Sequence, residues 1–269
     1  GVRKEQDGFV DLVDYGCANP GNAEGIGANH SAGTCNWEKL GGTGYTAFRG
    51  QLRYEADTWN LDLAADTIKQ AMTGGASVLR TGPESMFCGD FCTYTDFANT
   101  PQGPYQTYDG TGFSLRFEKD FSDKFNMVYI FGNREYDSTF GTDDDFVATP
   151  LGDDGAGSGA AAGGANYLSH EFDSHEIRFN YDVSENVLVT LGGFISDQTT
   201  SYASRQDIRY IAPGLKFQFW QDDPVDASTN ASFGSVIYNV NDALTVTAGG
   251  SRTNEEKDYM DQRKDVNDA

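Results

Sequence analysis

No stretch of this 269-residue chain holds the roughly 18 consecutive apolar residues that a membrane-crossing helix needs, so a transmembrane helix is excluded. Barrel strands are not excluded, because their only signal is alternation over about 10 residues. Basic residues are scarce: 19 Lys and Arg stand against 41 Asp and Glu, a net charge of −22. Binding a phosphate backbone takes a basic stripe, so nucleic acid is not an expected partner. Acidic outward loops are the plainer reading of that charge. Histidine is nearly missing as well. His30, His170 and His175 are too separated to make a triad or a zinc site, and the five-residue spacing of the last two sets them on opposite faces of a strand.

Cysteine is limited to Cys17, Cys35, Cys88 and Cys92, all in loop-like sequence. Local pairing, Cys17 with Cys35 and Cys88 with Cys92, is favoured because closing a short loop costs less entropy, with two other connectivities left open. An even count in glycine-rich loops indicates an oxidising compartment. The C-x3-C spacing, with neither a second such pair nor a nearby histidine, is a poor zinc signature. Neither metal nor cofactor is expected.

What the chain does have is glycine, 32 residues, and aromatic side chains, 13%, against only 38% hydrophobic residues overall. That mixture suits short strands and long loops. Four segments read as strand, tight polar turn, strand, with turns near residues 57, 122, 185 and 242. Between them lie long stretches rich in Gly, Asp, Asn, Ser and Thr, residues 13 to 43, 69 to 109, 139 to 166 and 203 to 230. Compact soluble domains rarely carry one structureless loop of that length. Short turns alternating with long loops are the pattern of an outer-membrane barrel, with the turns periplasmic and the loops extracellular. The expected fold is therefore all-β, an antiparallel up-and-down transmembrane β-barrel, here in part.

About nine strands fit this template, roughly 1–12, 44–55, 59–68, 109–120, 125–138, 167–182, 187–202, 231–240 and 244–259. Their faces alternate. Phe48, Gly50, Leu52 and Tyr54 share one face of the second strand, and Arg49, Gln51, Arg53 and Glu55 the other. In the third, Trp59, Leu61, Leu63 and Ala65 oppose Asn60, Asp62 and Asp66. A sheet packed on a soluble core would alternate in the same way. The aromatic residues tip the balance toward lipid: Tyr54, Trp59, Phe117, Phe121, Phe125, Tyr181 and Tyr238 gather on the short-turn side, as an interfacial girdle requires. Complete bacterial barrels have even strand numbers. With Gly1 opening in strand-like sequence and polar residues 263–269 closing the chain, residues 1–269 are expected to be an internal section of a longer barrel.

Residues 134–146, 170–179 and 192–200, with Gly8-Phe9-Val10 and residues 206–214, resemble the barrel of TonB-dependent outer-membrane receptors. The segment His170-Glu171-Phe172-Asp173-Ser174-His175-Glu176-Ile177-Arg178-Phe179 is the most specific part of the likeness. The resemblance implies a 22-stranded barrel plugged by an N-terminal domain. It also implies active import of a scarce nutrient, a ferric siderophore, a glycan or cobalamin, energised through TonB across the outer membrane of a Gram-negative bacterium. Outer-membrane lipid, the TonB complex and the nutrient are the implied partners, and no enzyme activity is. The TonB box, the plug domain and the closing C-terminal strands have no counterpart in these residues.

Several constellations remain. Arg49, Arg53, Arg116 and Arg178 are expected to face the lumen, where a plug or an anionic ligand could meet them. Glu171, Asp173, Glu176 and Asp182 raise the carboxylate pair of a glycosidase, but spacing along the chain cannot place two carboxyls, and lumen-facing charge accounts for some of them. Asp143, Asp144 and Asp145 read as a solvated acidic loop, since EF-hand spacing is missing. The aromatic loop carrying Phe87, Phe91, Tyr94 and Phe97 either contacts ligand or folds on its own side chains. The alternative to a transporter is a secreted acidic all-β module that binds calcium or carbohydrate.

Overall fold

A computed structural model of the chain describes residues 1–13, 36–73, 105–143, 163–207 and 218–265. Within these the backbone is strand, turn and bend throughout. The strands are β1 (Val2–Gln6), β2 (Val10–Val13), β3 (Asn36–Leu40), β4 (Thr43–Ala56), β5 (Trp59–Thr73) and β6 (Tyr105–Ser122), followed by β7 (Phe125–Asp143), β8 (Gly163–Ser184), β9 (Val187–Asp207), β10 (Gln218–Asn241), β11 (Leu244–Tyr259) and β12 (Gln262–Asp265). Ten of them form one sheet in the order β1-β4-β5-β6-β7-β8-β9-β10-β11, with β12 beside β10, while β2 and β3 pair separately. Every pairing is antiparallel, and from β4 onward each strand lies next to its successor in sequence as far as β11. The sheet does not close on itself.

The four tight turns fall where the alternation puts them. Two residues join β4 to β5, β6 to β7, β8 to β9 and β10 to β11. Two expectations need correction. Residues 1–12 are not one strand: β1 pairs with β4, and the chain then swings at Gly8 to pair β2 with β3. A side chain at Gly8 would run into the Lys39 and Leu40 carbonyls, and the Phe9 amide donates to the Leu40 carbonyl at 2.9 Å, so the chain backs closely onto β3 here. Gly41, with φ at 81°, makes the matching turn from β3 into β4.

The second correction concerns length. Residues 218–230 belong to β10 and 203–207 to β9, although they read as loop. At about 3.3 Å per residue the 24 residues of β10 reach roughly 80 Å, far beyond the 9 to 11 residues that cross a bilayer. Polar side chains fall on both faces of the overhang, Gln221, Asp223 and Thr229 on one and Asp222, Asp226 and Ser228 on the other, so it carries little alternation for a sequence reading to detect. Opposite Pro224, which has no amide to donate, the partner strand breaks into β11 and β12, with the Met260 amide bonded to the Pro224 carbonyl at 3.1 Å.

The two faces of the sheet are inverted relative to a soluble protein. Among the described residues only Leu40 and Val128 are buried hydrophobic side chains. Leu52 is 61% exposed and Leu191 59%, while Ser196 and Ser204 on the polar face are 9% and 2% exposed. A wall curved toward its polar side produces this pattern. The girdle residues meet as rings: Tyr54 lies 4.9 Å from Trp59, Trp59 5.9 Å from Phe117, and Phe121 5.3 Å from Phe125, which also contacts Tyr181.

The apolar band does not follow the hydrogen-bonded rows. On β5 it is centred near residue 62, whose row reaches β11 at Thr253. On β11 the band, Leu244, Val246 and Ala248, is centred near residue 246. It has slipped by about seven residues, roughly 24 Å, over six inter-strand steps totalling roughly 29 Å. The strands therefore lean about 40° from the normal to the band, within the 35 to 45° of membrane barrels.

Adjacent glycines test the close packing of the faces. A side chain at Gly192 would meet the Phe233 ring and come within 2.9 Å of the Ile177 carbonyl, whereas at Gly193 the nearest atom is the Ala231 carbonyl oxygen at 3.7 Å. Gly192→Ala is expected to destabilise the fold by about 1–3 kcal/mol and Gly193→Ala to be nearly neutral, as read by guanidinium unfolding in detergent micelles.

Candidate functional site

The polar face is the surface that can meet a solute, and the register assembles it from alternate residues of eight long strands. Arg49, Arg53, Arg116 and Arg178 all lie on it. Three of the four form ion pairs with carboxylates of their own wall. Arg53 bonds Asp62 at 2.6 Å, Arg116 bonds Glu118 at 2.8 Å and approaches Asp62 at 4.0 Å, and Arg178 pairs with Glu176. Arg49 stands opposite Asp66 in the ladder. The result is a laced surface of alternating charge.

Higher up, toward the long connections, a row of rings crosses the face. Tyr108 stacks on Tyr136 at 5.2 Å and Tyr136 lies 4.9 Å from His170. The row continues into β9, where Thr200 shares a hydrogen bond of 2.8 Å with His170 Nδ1. Two glycines of β6 make this possible. The Tyr108 ring lies over Gly110, where a Cβ would sit 2.7 Å from its Cε1. In the row below, Arg134 reaches from β7 across bare Gly112 to Asp66 on β5, with Nη1 to Oδ2 at 2.8 Å and Nη2 to Oδ1 at 3.3 Å. A Cβ on Gly112 would sit 2.6 Å from the guanidinium carbon.

The one-dimensional pattern does not mark Tyr108, Tyr136, Asp66 and Arg134 as one group. The signal was present as Gly110-Thr111-Gly112, two glycines on one face, but only the register shows which side chains lie over them. The histidines behave as their spacing requires. His170 is on the polar face; His175 is on the apolar one, sharing a hydrogen bond of 2.7 Å with the Tyr129 hydroxyl. The four carboxylates divide in the same way, Glu176 and Asp182 on the polar face and Glu171 and Asp173 on the other. No group of three or more metal-ligating side chains converges among the described residues. Phe87, Phe91, Tyr94 and Phe97, all four cysteines, His30, Asp144 and Asp145 lie outside the described residues.

No family model and no curated protein matches the sequence. Among solved structures, the ferric yersiniabactin uptake receptor FyuA from Yersinia pestis superposes with a TM-score of 0.55 at 16% identity, over 97% of this chain and 37% of that one. The chain shares that receptor's fold. It spans little more than a third of the receptor's length. BauA, the ferric preacinetobactin receptor from Acinetobacter baumannii, superposes with a TM-score of 0.46 at 11% identity, over 82% of this chain and 36% of that one. The expected antiparallel up-and-down fold, partial and unclosed, is borne out.

The side chains of Arg134 and Asp66 are 42% and 25% exposed, so their pairing is a modest interaction screened by water. A double-mutant cycle of Arg134→Gln with Asp66→Asn is expected to give a coupling of about 0.5–1 kcal/mol, collapsing toward zero in a Gly112→Leu background. Guanidinium unfolding of the four variants in each background measures it.

Proposed function

We propose that this chain is a section of the barrel wall of a TonB-dependent outer-membrane receptor that imports a scarce nutrient, a ferric siderophore or a similar cargo such as a glycan or cobalamin. The observation that carries this reading is the inversion of the faces: aliphatic and aromatic residues point outward and stay exposed, while serines and asparagines on the other face are covered. Such a sheet is stable only if its outward solvent is hydrocarbon, where every amide must find a partner within the wall. The lean of the strands and the girdle at the short turns support the same reading, as does the shared fold. In it the two-residue turns are periplasmic, the long connections extracellular and the polar face lumenal.

The lumenal arginines and the row of Tyr108, Tyr136 and His170 then line the route of the cargo. The role is transport and not catalysis: the charged groups of this face pair off along the wall instead of converging on a point. Energy coupling to TonB and the plug domain belong, in this reading, to parts of the receptor beyond this chain. The loop residues Phe87, Phe91, Tyr94 and Phe97 are proposed as further cargo contacts from sequence alone. A secreted all-β binding module would instead pack its leucines and phenylalanines between sheets, opposite to the arrangement of Leu52, Phe48 and Leu191.

Neighbouring residues on opposite faces provide the test. In the complete protein folded into lipid vesicles, Leu52→Arg is expected to cost about 2–4 kcal/mol, because it sets a guanidinium near the bilayer midplane, and Gln51→Arg less than about 1 kcal/mol. Equal effects of the two, measured by guanidinium unfolding from vesicles, overturn the lipid-facing assignment. For the transport role, deletion of the gene is expected to abolish growth on one chelated iron source or other scarce nutrient while leaving growth on the free nutrient intact. Unimpaired uptake of every such cargo tested, with the barrel present in wild-type cells, overturns it.

A further inference from the structure

Among the described residues the apolar face carries a notch. Over β8 to β11 a groove of about 420 Å³ opens beside Gly193 and Ser232, walled by Ile177 and Ile195 and ending at Arg252. It exists because Gly193 supplies no side chain and Ser232, next to it in the ladder, only a small one. Arg252 is the next residue in the same row, and it makes no ion pair among the described residues.

The slip of the apolar band fixes the height of this notch. Arg252 lies six residues beyond the band centre of β11, roughly 20 Å along a strand leaning about 40°, hence roughly 15 Å above the midplane. That is the edge of the hydrocarbon, where headgroups begin. Asn254 and Asn230, joined by a hydrogen bond of 3.2 Å, stand just above, and Tyr129 with its partner His175 flanks the other wall. The following row carries Asp173, Asp197 and Glu256, so a negative group is favoured at the level of Arg252 and repelled any higher.

Resting on the lipid-facing reading above, we propose that this groove is a specific site for one anionic membrane lipid, an acyl chain lying over Gly193 and Ser232 and the headgroup phosphate held by Arg252. A guanidinium at an apolar boundary is matched by a phosphate, which it can hold through two parallel hydrogen bonds. The groove supplies the apolar surface that a chain would otherwise bury against other lipids.

The test uses the complete protein in neutral detergent, with bound lipid counted by native mass spectrometry. Phosphatidylglycerol is expected to be retained about tenfold better than phosphatidylcholine of the same chains, the size of one charge-assisted contact. Arg252→Gln should erase that preference. Gly193→Leu, which grows into the groove with only the Ala231 carbonyl nearby, should lower retention of both lipids. Millimolar inorganic phosphate should not displace the lipid. A phosphatidylglycerol preference that survives Arg252→Gln, retention untouched by Gly193→Leu, or displacement by free phosphate each overturns the site. Heat-modifiable migration on gels checks that each variant is folded. If the wild-type protein is instead monomeric and folded in buffer without detergent, the lipid-facing reading falls, and that outcome is separate from the failure of the groove.

Discussion

Everything in this sheet depends on main-chain amides being paired strand to strand, with few buried side chains to hold them. In the interior of a soluble sandwich the side chains do the holding, and the ladder rides on their packing. Here two buried hydrophobic side chains among the described residues cannot hold eight long strands. The ladder itself is continuous from β4 to β11, with bulges at three of the four tight turns, after Asp120, Asp182 and Asn239, where the strands are about to reverse. Continuity of that kind is what hydrocarbon demands and what a hydrated sheet can do without.

A regular ladder imposes a fixed relation between rows and band. Because the band slips about one residue per strand while the rows run square to the strands, a single row passes from the middle of the apolar band to its edge as it crosses the wall. The row that starts at Leu61 ends at Arg252. The same shear makes the glycines informative. At Gly112 and Gly192 a side chain from another strand lies over the ladder, at Gly110 the Tyr108 ring of the same strand does, and at Gly193 a groove opens. Removing the side chain at Gly112 lets Arg134 reach a whole strand sideways, so the contacts of the polar face are set by what is missing as much as by what is present.

The local features were readable along the chain because their causes are local. Asp57-Thr58, Asp123-Lys124, Glu185-Asn186 and Asp242-Ala243 are polar pairs between alternating segments, and each is a two-residue turn. The sides of Arg53, Arg116 and Arg178 follow from period two alone. Alternation failed where its physical origin is missing. Residues 222–230 carry polar side chains on both faces, Asp223 and Thr229 on one and Asp222, Asp226 and Asn230 on the other, and so read as loop. The run Met127–Phe131 is apolar on both: Met127, Tyr129 and Phe131 belong to the outer band, while Val128 lies buried on the polar face.

By itself the amino-acid sequence determined the all-β class, the positions of the tight turns and, where it alternates, the face to which each strand side chain belongs. Those properties rest on neighbours two residues apart, and such neighbours are visible in one dimension. Only the tertiary structure decided which face is covered, how far the strands lean, and that Arg134 meets Asp66 or that Arg252 borders a groove beside Gly193. These depend on register between segments many residues apart, where a slip of a single residue would turn every side chain to the opposite face.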